Sequence, residues 1–114
     1  MQILVIDDER PTLAMFELLL EAMGYQPVAA ESGEKGLDAF EKGDFPIVIT
    51  DIKMPGIDGM EVLSRIKARK PATEVIVITG HAGLQYVIPK AVASLTKPFD
   101  QAELLRIVRE TIGQ

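Results

Sequence analysis

The sequence has no cysteine and no tryptophan, a single histidine (His81), and only 5% aromatic residues. Without thiols there is no disulfide framework, no cysteine-held zinc or iron–sulfur cluster, and no thiol nucleophile. One histidine excludes a metal site built from several imidazoles. Positive charge is also short: 12 Lys and Arg stand against 17 Asp and Glu, a formal net charge of −5. Phosphate backbones are held by clustered Lys and Arg, so this domain is not expected to contact nucleic acid directly. No apolar run approaches the roughly 18 residues of a transmembrane helix, and no membrane partner is expected. The N-terminus runs straight into Gln2-Ile3-Leu4-Val5-Ile6, without the basic start and small-residue cleavage site of a signal peptide. These absences point to a cytoplasmic location.

What is present is ordinary for a globular chain. The 114 residues are 47% hydrophobic and 25% charged, which predicts one domain over residues 1–114 with a single core. Short apolar runs alternate with helical patterns. Ile3 to Ile6, Tyr25 to Ala29, Pro46 to Thr50, Glu74 to Ile78 and Val92 to Leu95 read as strands. Between them, Leu13, Phe16, Leu20 and Met23 recur at helical spacing and stop at Gly24, with Pro11 suited to a first turn. Ser32 is placed to cap a second helix, Asp58 a third and Asp100 a last one. Pro27 cannot donate to a sheet ladder, so the second strand is predicted at an edge. Strands alternating with helices imply a parallel sheet covered on both faces, in the order 2-1-3-4-5.

In such a sheet, ligands bind beyond the carboxyl ends of the strands. The polar residues there are few: Asp7 and Asp8 after the first strand, Asp51 after the third, Thr79 after the fourth and Lys97 after the fifth. Any one of them is explained as a cap or a turn. All five converging on one sheet edge are not. Three carboxylates in close proximity raise one another's pKa or require a cation, and an all-oxygen set suits Mg²⁺.

The stretches ILVIDD (Ile3 to Asp8), IVITDIKMPGIDG (Ile47 to Gly59), VIVITG (Val75 to Gly80) and LTKPF (Leu95 to Phe99) resemble, in order and spacing, the receiver domain of two-component response regulators. The resemblance implies a single (βα)5 flavodoxin-like three-layer sandwich. It implies that Asp51 accepts a phosphoryl group from a sensor histidine kinase or phosphotransfer protein. Asp8, Asp51 and the backbone carbonyl of Lys53 would ligate Mg²⁺, with Asp7 acting through a water. Thr79 and Lys97 would contact the phosphoryl oxygens, and a cis Lys97–Pro98 peptide would aim the lysine. The signal would pass to an output domain or downstream protein, with a phosphorylation-dependent homodimer as one form of output. The domain would be no enzyme beyond its own phosphorylation and slow dephosphorylation.

Two features depart from the family pattern. Ser94 stands where the family usually carries an aromatic residue three positions before the lysine. The stretch between Thr79 and Lys97 is also shorter than usual and contains Pro89, so its helix is expected to be shortened or displaced between about Ala82 and Lys90. Leu84, Tyr86, Val87 and Ile88 there would pack inward or form an exposed patch, and His81, just past Thr79, would tune hydrolysis or simply face solvent. Met54 and Met60 read as packing residues.

Three other functions compete. An Mg²⁺-dependent phosphohydrolase would use Asp51 as nucleophile, but Ile52 and Lys53 supply no general acid and no insertion is long enough for a substrate cap. A flavin site would want glycine, serine or threonine where Asp7 and Asp8 stand. A receiver-like docking or assembly module working without phosphorylation would have no need of the complete acidic set.

Overall fold

In the computed structural model, which describes residues 1–80, 91–97 and 99–112, five strands form one parallel sheet. The strands are β1 (Gln2–Ile6), β2 (Gln26–Ala30), β3 (Ile47–Asp51), β4 (Glu74–Thr79) and β5 (Ala93–Thr96), in the order β2-β1-β3-β4-β5. Four helices are described: α1 (Arg10–Ala22), α2 (Gly33–Lys42), α3 (Gly59–Arg69) and α4 (Gln101–Thr111). The helix expected between Ala82 and Lys90 lies outside the described residues, as do Tyr86, Pro89 and the apolar residues around them.

Side chains alternate across each strand, and each face of the sheet has its own core. On one side Ile3, Val5, Ile49, Ile76, Ile78 and Leu95 pack against Phe16 and Leu20 of α1 and Leu104, Ile107 and Val108 of α4. On the other, Leu4, Ile6, Val48, Val75 and Val77 pack against Phe40 of α2 and Val62, Leu63 and Ile66 of α3. Two-sided burial explains why β1, β3 and β4 read as unbroken apolar runs rather than as alternation. The result is the three-layer sandwich expected.

The edge position of β2 follows from Pro27, whose missing N–H is harmless where only one side of the strand is paired. Both edge strands and the central β3 sit one residue later than the apolar pattern placed them. The caps fall where predicted: Ser32, Asp58 and Asp100 accept from the N–H groups of Lys35, Glu61 and Glu103. Gly24 ends α1 at φ +92°, a conformation that suits glycine. Met60, expected to pack, is 41% exposed on the outer face of α3, whereas Met54 is buried as expected.

Candidate phosphoacceptor site

Each site residue lies at or just past the carboxyl end of a strand, because a parallel sheet brings all such ends to one edge. Asp7 follows β1, and its backbone N–H donates to Ala30 O of β2 at 3.1 Å. Asp51 is the last residue of β3, and Ile52 N–H then donates to Ile78 O at 3.0 Å, tying the loop after β3 to β4. Gly59 N–H donates to Ile52 O at 2.8 Å, closing that loop onto the start of α3. Thr79 ends β4, and its carbonyl accepts from Lys97 N–H at 2.7 Å. The lysine backbone is therefore fixed beside the threonine.

The side chains meet accordingly. One carboxylate oxygen from each of Asp7, Asp8 and Asp51 lies within 4.8 Å of the others. Asp7 and Asp51 are buried, whereas Asp8 is exposed and opens the cluster to solvent. Lys97 Nζ reaches into it, 3.2 Å from Asp51 Oδ2 and 3.3 Å from Asp7 Oδ2. The same ammonium lies 3.3 Å from Glu9 Oε1. Burial raises the Asp7 carboxyl above the usual carboxylate range, and the Asp51 charge adds to the rise. The Glu9 N–H, 2.9 Å from Asp7 Oδ1, and the Lys97 ammonium pull the other way without cancelling it. For Lys97, burial disfavours the charged form, but Asp51 and Asp7 outweigh it and lift the ammonium above its ordinary value. It stays protonated throughout the neutral range.

Thr79 is the exception in a well-satisfied interior. Its side chain is buried, yet among the described residues Oγ1 has no hydrogen-bond partner. A buried hydroxyl left so costs about 1–3 kcal/mol. Lys53 sits on the loop two positions after Asp51, with its side chain exposed. Ser94 lies exposed on β5, while Pro98 and His81 fall outside the described residues.

The residues fit a hard divalent cation. Three carboxylates against one ammonium leave the cluster two negative charges in excess, and every available donor there is oxygen. The structure brings the side chains of Asp7, Asp8, Asp51 and Lys97 together and joins Thr79 to Lys97 through the backbone, whereas sequence reasoning passed over Glu9. The signal was its position: it is the third acid of an unbroken Asp7-Asp8-Glu9 run, at the mouth of the same loop.

Comparison with known proteins agrees with this fold. The family model for the response regulator receiver domain matches residues 3–109. The uncharacterized transcriptional regulatory protein YkoG of Bacillus subtilis is 34% identical over 98% of this chain and 51% of its own length. The transcriptional regulatory protein FixJ of Bradyrhizobium diazoefficiens is 31% identical over 98% of this chain and 57% of its own. The curated relatives are longer, and the chain spans between about a quarter and a little over half of the full-length regulators it matches. Among solved structures, a receiver domain protein from Clostridium thermocellum superposes with a TM-score of 0.90 at 37% identity, covering 97% of this chain and 93% of that one. The response regulator TrrA from Thermotoga maritima, solved in complex with Mg(2+)-BeF, superposes at 0.89 with 33% identity, covering 96% of this chain and 97% of that one. The chain belongs to the response regulator receiver domains of two-component systems, and its relatives are transcriptional regulatory proteins.

Proposed function

We propose that this domain is a phosphorylation switch in which Asp51 accepts a phosphoryl group from the phosphohistidine of a sensor kinase or phosphotransfer protein. The observation that carries the reading is a buried Thr79 hydroxyl that has no partner among the described residues, on a strand end tied through its carbonyl to Lys97, whose ammonium grips the Asp51 carboxylate. Such a hydroxyl is satisfied once acceptor oxygens arrive on Asp51, and it can rotate to meet them.

In the transfer, a carboxylate oxygen of Asp51 forms a bond to phosphorus while the donor's P–N bond breaks. The electron pair leaves with the imidazole nitrogen, which takes up a proton. Phosphoryl transfer asks the protein for positioning and charge neutralisation rather than covalent help. Lys97 supplies one positive charge at the acceptor. Asp7, Asp8 and Asp51, with the Lys53 carbonyl, would hold Mg²⁺, Asp7 through a water. Bound Mg²⁺ supplies further neutralisation of the phosphoryl oxygens. The Mg(2+)-BeF complex of the TrrA protein supports this assignment.

The new charge and oxygens on Asp51 draw Thr79 and Lys97 toward them. Thr79 ends β4 and Lys97 follows β5, so the displacement reaches the segments that lead from these strands. With Ser94 in the place of an aromatic, the usual threonine–aromatic relay has no aromatic on β5 to act on. The switched surface would act on an output domain or downstream protein, or by dimerisation, in the cytoplasm. Residues 1–114 would function as one receiver unit, and DNA contact would belong to another part of such a regulator.

Incubation with phosphoramidate and Mg²⁺, followed by intact-mass measurement, tests the proposal. One added phosphoryl group is expected, abolished by Asp51→Asn and by chelation of the metal. No gain under conditions in which a control receiver reacts would refute it. Turnover of many unrelated phosphate esters would favour the hydrolase instead.

A further inference from the structure

One charged side chain at the site has no part in the transfer just described. Glu9 is the N-cap residue of α1, and its backbone is held in place because its N–H donates to Asp7 Oδ1 at 2.9 Å. Its side chain is 63% exposed, yet Oε1 lies 3.3 Å from Lys97 Nζ. An ammonium has three N–H donors. Here it faces three carboxylate oxygens, Asp51 Oδ2, Asp7 Oδ2 and Glu9 Oε1. Its donors are therefore fully committed before any phosphoryl group arrives.

A phosphoryl oxygen on Asp51 must take one of these donors. Asp7 cannot yield easily: its side chain is 1% exposed, and giving up Lys97 would leave a buried carboxylate oxygen short of a partner. Asp51 is the group being modified and stays beside the lysine. Glu9 is different, because its exposed carboxylate exchanges the lysine for water at little cost. We propose that Glu9 is a positioning residue that occupies, in the resting domain, the Lys97 donor later taken by the phosphoryl group. The proposal rests on Asp51 being the phosphoacceptor. Glu9 then opposes activation: it stabilises the resting arrangement of Lys97 and must be displaced for the switch to complete. Exposed pairs of this kind are weak, so the expected effect is about two- to fivefold.

Beryllofluoride, an unreactive mimic of the phosphoryl group, provides the test. Its affinity in the presence of Mg²⁺ would be measured by calorimetry for the wild type, Glu9→Ala and Glu9→Asp, together with the affinity of each for Mg²⁺ alone. Glu9→Ala should bind the mimic about two- to fivefold more tightly and take up phosphoryl groups from phosphoramidate faster by a similar factor. Glu9→Asp keeps the charge but falls one methylene short of Lys97, and should behave as Glu9→Ala does. Mg²⁺ affinity should not change. Wild-type behaviour in Glu9→Asp would overturn the proposal, because the charge would then repel the anion without holding the lysine. A fall in Mg²⁺ affinity with Glu9→Ala would also overturn it, by placing Glu9 in the cation site. Equal or weaker binding of the mimic by Glu9→Ala refutes the role of Glu9 alone, whereas no binding by the wild type refutes the phosphoacceptor reading itself.

Discussion

Asp7 and Thr79 are both poorly served by the resting fold, in opposite ways. Asp7 is buried beside another carboxylate, so its folded pKa lies above that of the unfolded chain. Its protonated form therefore stabilises the fold fully below the unfolded value near pH 3.9, and that contribution is lost as pH rises through the folded pKa. Without metal, Asp7→Asn should raise the melting temperature at neutral pH, with an advantage over the wild type that shrinks toward pH 4. A thermal-melt series in chelator checks this. Thr79 lacks a partner among the described residues rather than having too much charge. Thr79→Val should stabilise the unphosphorylated domain by about 1 kcal/mol in urea unfolding, while abolishing the conformational response to phosphorylation. Residue types and strand-end placement made Asp7, Asp51, Thr79 and Lys97 legible in the sequence. What stayed hidden depends on side-chain reach: that Lys97 spans to Glu9, and that Thr79 finds nothing to bond among the described residues.

Secondary-structure elements were legible where a local cause decides them. Ser32, Asp58 and Asp100 cap because a side-chain oxygen three residues from an unpaired N–H needs no tertiary help. Asp100→Ala should cost about 1 kcal/mol in chemical unfolding through the loss of the α4 cap. The strands β2, β3 and β5 were displaced by one residue because strand ends are set by pairing partners, which apolar pattern does not encode. The loop after Asp51 is set by close approach. A Cβ on Gly59 would collide with Asp51 O and lie 2.7 Å from Ile52 Cα, both backbone atoms that cannot swing aside. Gly59→Ala should destabilise the domain by about 2–3 kcal/mol and depress phosphoryl uptake more than a Val62→Ala change of similar cost, since only the former displaces Asp51. Uptake measured well below both melting points separates the two effects.

At the scale of the whole molecule, the site is a place where the fold accepts self-repulsion. The sheet buries apolar surface on both faces and delivers three carboxylates and one ammonium to one edge. Mg²⁺ should therefore act as a folding ligand: at about a hundred times its Kd it adds about 2.7 kcal/mol, seen as a rise in melting temperature that chelator reverses and Asp8→Ala removes. The order β1, β3, β4, β5 across the sheet is also their order along the chain. Once β2 has paired with β1, the sheet would thus be extended at the opposite edge alone, and the lysine comes with the last strand. Asp7 and Asp51 are made long before Lys97, which lies 90 positions after Asp7. A nascent chain halted before β5 carries the proposed acceptor, Asp51, without the Lys97 ammonium. Competence to receive a signal would then be acquired only as the last strand docks, so that unfinished copies stay silent rather than competing for the kinase.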